Sequence, residues 1–178
     1  MTDNLRLAVF DLDFTVWEPE MYQIYGPPKR KVGKNGEVKV MDKDNTPITI
    51  FQGASYALEH INKMRDRNVD IRAAVASRTD EPAWAHLCMD WLTISDGSTL
   101  TACFQHVEID ISDKKNHFHR LHKETGISFE SMVFFDNERR NIISVQELGV
   151  KCVYTPDGMT KEAWHTALEM FGMKKEEF

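Results

Sequence analysis

Five short apolar runs, each followed by a stretch of helical periodicity, constrain the fold of this chain more than any other feature. The runs lie at residues 7–10, 71–76, 104–109, 132–135 and 150–154. Short runs that are apolar throughout suit a sheet buried on both faces. Between them, apolar residues recur every three or four positions. Ala57, Leu58, Ile61 and Met64 form one stripe, and Trp84, Leu87, Cys88, Trp91 and Leu92 a second. Phe118 with Leu121, Ile142 with Val145 and Leu148, and Trp164 with Ala167, Leu168 and Phe171 complete the set. Asp80, Glu81 and Thr160 stand where helices should start, Gly126 and Gly149 where they should end. This alternation predicts an α/β chain: a Rossmann-like parallel sheet with helices on both faces. At 178 residues the expectation is one domain spanning 1–178.

Residues 18–52 break the rhythm. Pro19, Gly26, Pro27 and Pro28 interrupt any regular pattern, and two short alternating runs follow, Glu37–Met41 and Ile48–Phe51. The Asp- and Asn-rich turn between them predicts a hairpin inserted after the first strand. It is too short for an independent domain and reads as a flap. Within it, Lys29, Arg30, Lys31 and Lys34 form the main basic cluster. The simplest expectation is a solvated hairpin; the alternatives are steering of anionic substrates, which salt would weaken, and a nuclear address.

A net charge of −6 argues against a general nucleic-acid binder, so any recognition of anions must be local. Cys88, Cys103 and Cys152 are odd in number and lack C-x-x-C spacing, which predicts reduced thiols in a cytoplasmic setting. No stretch resembles a signal peptide and no apolar run is long enough to span a bilayer, so no membrane partner is expected.

The chemistry concentrates at the strand ends. The first strand delivers Asp11-Leu12-Asp13, followed by Thr15. On a continuing strand, positions two apart face the same way, so two anions would be held side by side. A hard divalent cation is the simplest compensation. The second strand ends in Ser77-Arg78-Thr79, the third leads to Asp113-Lys114-Lys115 opening a helix, and the fourth ends in Asp136-Asn137-Glu138. In open α/β sheets ligands bind beyond the carboxyl ends of the strands, so these four sets converge on one crevice. His117, His119 and His122 do not make a zinc site, because His117 and His119 project to nearly opposite sides of a helix; surface or capping roles are expected.

The ordered set Asp-x-Asp-x-Thr, Ser, Lys and an acidic strand end resembles the haloacid dehalogenase-type phosphatases. Residues 8–17, Ala76-Ser77-Arg78-Thr79, residues 132–141, His117-Phe118-x-Arg120-Leu121-His122 and Asp157-Gly158-Met159 are similar to the eukaryotic magnesium-dependent phosphatase branch. The likeness covers nearly the whole chain and is weakest in the flap. It implies a Mg2+-dependent phosphomonoesterase, with phosphotyrosine proteins or peptides, or sugar phosphates, as substrates. Asp11 would be the nucleophile, ionised at its ordinary pKa of ~4, and would form an aspartyl-phosphate. Asp13 would protonate the leaving group and then activate water. Mg2+ would be held by Asp11, the Asp13 carbonyl and Asp136. Ser77, Lys114 and the backbone N–H groups of Leu12 and Asp13 would contact the phosphoryl group, and Arg78 would grip phosphate or leaving group. The expected form is a monomer.

The second Asp of the motif favours a phosphatase over dehalogenases and transport ATPases, which lack it within this superfamily. Neither 18–52 nor 80–113 leaves room for the large cap that mutases usually carry. One position departs from the pattern: Asn137 stands where a second acid is common. Its amide oxygen can still serve Mg2+, with weaker affinity expected, and Asn137→Asp should lower the Mg2+ concentration for half-maximal activity. Three alternatives stay open: a serine phosphatase of the polymerase-tail type, a non-catalytic phospho-acceptor and an inactive scaffold.

Overall fold

The computed structural model describes residues 4–173. Strands β1 (Leu7–Phe10), β6 (Arg72–Arg78), β7 (His106–Asp110), β8 (Met132–Asp136) and β9 (Lys151–Tyr154) form a parallel sheet in the order β7-β6-β1-β8-β9. Each falls within two residues of a run expected from the sequence. Alternation explains why the runs are apolar throughout. Ala8, Phe10, Val75, Val133 and Phe135 pack on one face. Leu7, Val9, Ala74, Met132 and Phe134 pack on the other. The first face is covered by α1 (Gln52–Asp66), α2 (Pro82–Trp91) and α6 (Lys161–Met170); the second by α4 (Lys114–Thr125) and α5 (Arg139–Gln146). A four-residue helix, α3 (Leu100–Cys103), precedes β7.

Chain order dictates where a ligand can sit. From β1 the chain builds outward through β6 and β7, then returns to the other side of β1 for β8 and β9. The order reverses between β1 and β8, in register from Leu7↔Met132 to Phe10↔Phe135. Connections depart to opposite faces there and leave a crevice at the carboxyl edge.

Helix ends follow the sequence signals. Asp113 caps α4 by accepting from the Asn116 N–H at 2.9 Å, Thr160 caps α6 by accepting from Ala163 N–H at 3.0 Å, and Gly126 ends α4 in the left-handed region at φ 68°. All three cysteines are free and buried. Among the described residues, no helix is long and apolar enough to cross a membrane.

The insertion is more than the expected hairpin. β4 (Val38–Met41) and β5 (Pro47–Ile50) do pair antiparallel, but β2 (Trp17–Glu18) and β3 (Lys29–Val32) extend them into a four-stranded sheet ordered β2-β5-β4-β3. β3 escapes sequence reading because Lys-Arg-Lys-Val has no apolar alternation; as an edge strand it is largely exposed and has no core face to mark it. The basic cluster therefore lies on an exposed hairpin, as the simplest expectation has it: Lys29, Arg30 and Lys31 stand on the edge strand and Lys34 in the turn that follows. Lys29 donates to the Lys43 carbonyl, Lys31 to Asn45 Oδ1, and Arg30 lies 5.8 Å from the Trp91 ring centre. A buried Asp42 carboxylate organises the β4–β5 turn by accepting from the N–H groups of Tyr25, Asp44 and Thr46. Those bonds hold its carboxyl below the usual range.

His117 also departs from expectation. It is wholly buried, against the sheet, rather than on the surface. His122 does cap locally, through Nδ1 at 2.7 Å from the Ile127 carbonyl.

Candidate active site

A cavity of about 350 Å3 opens at the carboxyl edge of the parallel sheet. Asp11 and Asp13 supply its floor from the end of β1, and Lys114 enters from the first residue of α4. Arg78, Thr79 and Asp80 follow β6; Asn137, Glu138, Arg140 and Asn141 follow β8. Ile111 comes from the β7–α4 loop, and Glu20 and Tyr22 from the insertion.

The carboxylates are buried around one cation. Lys114 Nζ donates to Asp11 Oδ1 at 2.5 Å and to the Ala76 carbonyl at 2.5 Å, and lies 3.4 Å from Asp136 Oδ2. One ammonium thus touches both Asp11 and Asp136 across the β1–β8 switch point. Lys114 is 3% exposed, whereas Lys115 turns outward to Glu147. Asp136 is fixed further: its two oxygens accept from the Glu138 N–H at 2.7 Å and from Asn141 Nδ2 at 2.9 Å.

Burial governs the titration. It pushes the Asp11 carboxyl up to about 8; Lys114 opposes the shift, while Asp136 and Asp13 reinforce it. Burial raises Asp136 as well, again against Lys114. Desolvation thus works against the ionised form of Asp11 that the sequence reading expects, and positive charge beside it favours that form. Asp13 is raised by burial to about 6, held back by hydrogen bonds from Met21 N–H and Trp17 Nε1, each at 2.9 Å. Both donors belong to the insertion.

Two buried acids, a half-buried third in Asp13, and one lysine leave an excess of negative charge when ionised, which a cation would offset. Among the described residues, no three His, Cys, Asp or Glu side chains gather to hold a metal. The donor set that remains is oxygen-rich: two carboxylates, the Asn137 amide on the cavity wall and backbone carbonyls. Such a set suits a hard ion that keeps several waters, as Mg2+ does. Asn137 is braced rather than free. Its N–H donates to Thr15 Oγ1 at 3.2 Å, and its Oδ1 accepts from the same hydroxyl at 3.4 Å.

Among the described residues, the N–H groups of Leu12 and Asp13 are not spent on backbone carbonyls, although the Leu12 carbonyl accepts from Thr15, Val16 and Trp17. Consecutive unspent N–H groups at a tight turn form a cradle for an anion. Phe14 makes the turn at φ 55° and packs edge-on against Phe51, 5.5 Å away. Ser77 is buried at the end of β6 and, like Leu12 and Asp136, is not part of the cavity lining; Arg78 beside it is. Glu20, Tyr22, Asp80 and Ile111 escape sequence reading because they sit in loops or a single 3-10 turn, where no periodicity marks them, and Thr79, Arg140 and Asn141 are read only as parts of longer motifs. The basic residues of β3 are absent from the lining.

The comparisons agree with this geometry. Residues 4–174 match the model of a family described as Acid Phosphatase. The chain is 33% identical over 166 residues to human magnesium-dependent phosphatase 1, covering 93% of this chain and 86% of that protein. It is 34% identical over 148 residues to a HAD-like hydrolase superfamily protein of Schizosaccharomyces pombe, covering 82% of each. A haloacid dehalogenase-like family hydrolase from Xanthomonas campestris superposes with a TM-score of 0.61 at 15% identity, over 94% of this chain and 92% of that one. A phosphatase domain from Bacteroides fragilis, complexed with Mg, superposes at 0.61 and 17% identity, over 97% of this chain and 41% of that one. The carboxylates at the switch point, their shared lysine and these matches lead to one assignment: the chain belongs to the acid phosphatase family, among the haloacid dehalogenase-like, magnesium-dependent phosphatases.

Proposed function

We propose that the chain hydrolyses phosphomonoesters in two steps through an aspartyl-phosphate on Asp11. The observation that carries this reading is the single Lys114 ammonium shared by Asp11 and Asp136. In the first step, an Asp11 carboxylate oxygen attacks phosphorus, the ester P–O bond breaks, and the departing alkoxide takes a proton from Asp13. In the second, Asp13 removes a proton from water, the water oxygen attacks phosphorus, and the acyl–phosphate bond breaks to release phosphate and Asp11. Lys114 carries charge at the phosphoryl group, and the Leu12 and Asp13 N–H groups cradle its oxygens. Arg78 reaches the same space from the β6 terminus, and Ser77 stands behind it. Asp11, the Asp13 carbonyl, Asp136 and Asn137 would hold Mg2+, which when bound offsets the repulsion between nucleophile and phosphate.

The substrates we favour are phosphotyrosine peptides or sugar phosphates. Tyr22 and Ile111, 76% and 70% exposed, stand at the mouth where the apolar part of a phosphotyrosyl group would lie. The protein acts as one catalytic domain, monomeric and cytoplasmic or nuclear, with 18–52 as a flap beside the site.

Turnover of an aryl phosphate with Mg2+ tests the reaction. The expected result is multiple turnover, lost by about 10^4-fold or more in Asp11→Asn and abolished by chelator. A stable acyl-phosphate formed once without turnover would replace the enzyme by a phospho-acceptor. Full activity in Asp11→Asn would end the mechanism.

A further inference from the structure

Lys114 reaches the buried carboxylates from the first turn of α4, and that turn is tied down by more than its cap. One turn further on, His117 is wholly buried, with Nε2 2.8 Å from Asp110 Oδ1. A carboxylate only accepts, so Nε2 carries the proton and donates. The same carboxylate accepts from the Ser112 N–H at 2.7 Å and from Arg120 Nη2 at 2.7 Å. Arg120 also donates through Nε to Glu108 at 2.5 Å. Asp110 ends β7 in register with Arg78, and its carbonyl accepts from the Thr79 N–H at 3.2 Å. Neither Asp110 nor His117 lines the cavity.

One carboxylate therefore joins the end of β7, the loop that leads into α4 and two successive turns of that helix. Through its carbonyl, the same residue joins the β6 terminus that carries Arg78 and Thr79. The Arg120 contacts are partly exposed and weak individually. The His117 contact is different: His117 Nδ1 is buried without a partner among the described residues, so the bond to Asp110 alone orients the ring. A lysine stem is flexible, and the helix start must be fixed for its ammonium to meet Asp11, Ala76 and Asp136 together.

We infer that Asp110 and His117 form a positioning pair, outside the cavity, that fixes Lys114 between Asp11 and Asp136. The inference rests on the proposed reaction, in which Lys114 carries charge at the phosphoryl group. His117 acts through Lys114 and touches no reacting atom.

A double-mutant cycle in the full-length chain tests it, read by aryl phosphate kinetics with Mg2+ and separately by calorimetric Mg2+ titration. His117→Leu keeps a buried side chain and removes the donor; His117→Gln keeps an N–H near Nε2. The expected result for His117→Leu is a kcat about tenfold lower with KM within about twofold, and recovery of most of that loss in His117→Gln. On a Lys114→Met background, His117→Leu should change kcat by less than about twofold. Mg2+ binding should tighten in His117→Leu when Lys114 is present, because a displaced ammonium repels the ion less, and should not move when Lys114 is absent. Equal losses on both backgrounds, or a Gln variant no better than Leu, would make His117 a packing residue and overturn the inference. A wild-type protein without turnover would defeat the proposed reaction instead, and the titration would still decide the positioning.

Discussion

The two sheets of this molecule place different demands on their sequences. The parallel sheet is buried on both faces, so nearly every residue of β1 and β8 must be apolar until the strand ends. At those ends the requirement inverts, and polar groups appear where the backbone stops pairing. The antiparallel sheet of the insertion is exposed along β3 and half of β4; it lends Trp17, Val40 and Ile48 to the core on one side, and a polar group organises its β4–β5 turn. Yet the two also meet at the site. Asp13 leaves β1, and both of its oxygens are held by the insertion through Trp17 and Met21. The buried sheet fixes Asp11, and the insertion fixes Asp13.

The largest effect should come from the core of the buried sheet. Phe10 and Phe135 are wholly buried and stack at 4.9 Å. Phe135→Ala should cost about 3–5 kcal/mol of stability, whereas Val38→Ala on the insertion, already 41% exposed, should stay within about 0.5 kcal/mol. Denaturant unfolding measures both; equal losses would erase the contrast between the sheets. A smaller effect sharpens it. Trp17→Phe keeps an aromatic ring and removes the Nε1 donor to Asp13, so kcat should fall by about tenfold, or about 1.4 kcal/mol, while the smaller ring in a wholly buried site should cost about 1–3 kcal/mol in unfolding. Unchanged kinetics would detach the insertion from catalysis.

The subtlest test concerns Asp42. Its folded-state pKa is depressed by three N–H donors, so its contribution is fully present above the unfolded value of ~4 and is lost as pH falls through the lower folded value. Hydrogen-exchange protection at Tyr25, Asp44 and Thr46 should therefore hold between pH 5 and 8, on the order of neutral, and drop below ~4. Asp42→Asn should already show the lowered protection at neutral pH. Protection independent of both pH and the substitution would leave the turn without its organiser.

Burial also explains what could be read from the sequence. The five core strands, the helix stripes, the Thr160 cap and the convergence of Asp11, Asp136 and Lys114 on one crevice all carry one-dimensional signals: apolar runs, periodicity, and polar residues at strand ends. β3 carries none, because an edge strand with lysines resembles a loop. His117 misleads because a histidine on a polar helix looks solvated; its burial depends on Asp110, seven residues away on another element. Glu20, Tyr22 and Ile111 reach the cavity only through tertiary placement of turns. The raised pKa of Asp11 is likewise invisible in a motif, since desolvation is a property of the whole fold.

The central claim is that one divalent ion joins Asp11 to Asp136 across the switch point. A crystal structure grown with Mg2+ and a phosphate mimic tests it most directly. The account predicts one ion bonded to a carboxylate oxygen of each residue at about 2.0–2.1 Å, with the mimic lying over the Leu12 and Asp13 N–H groups. An ordered ion bound elsewhere, with Asp136 left to Lys114 and Asn141 alone, would contradict it.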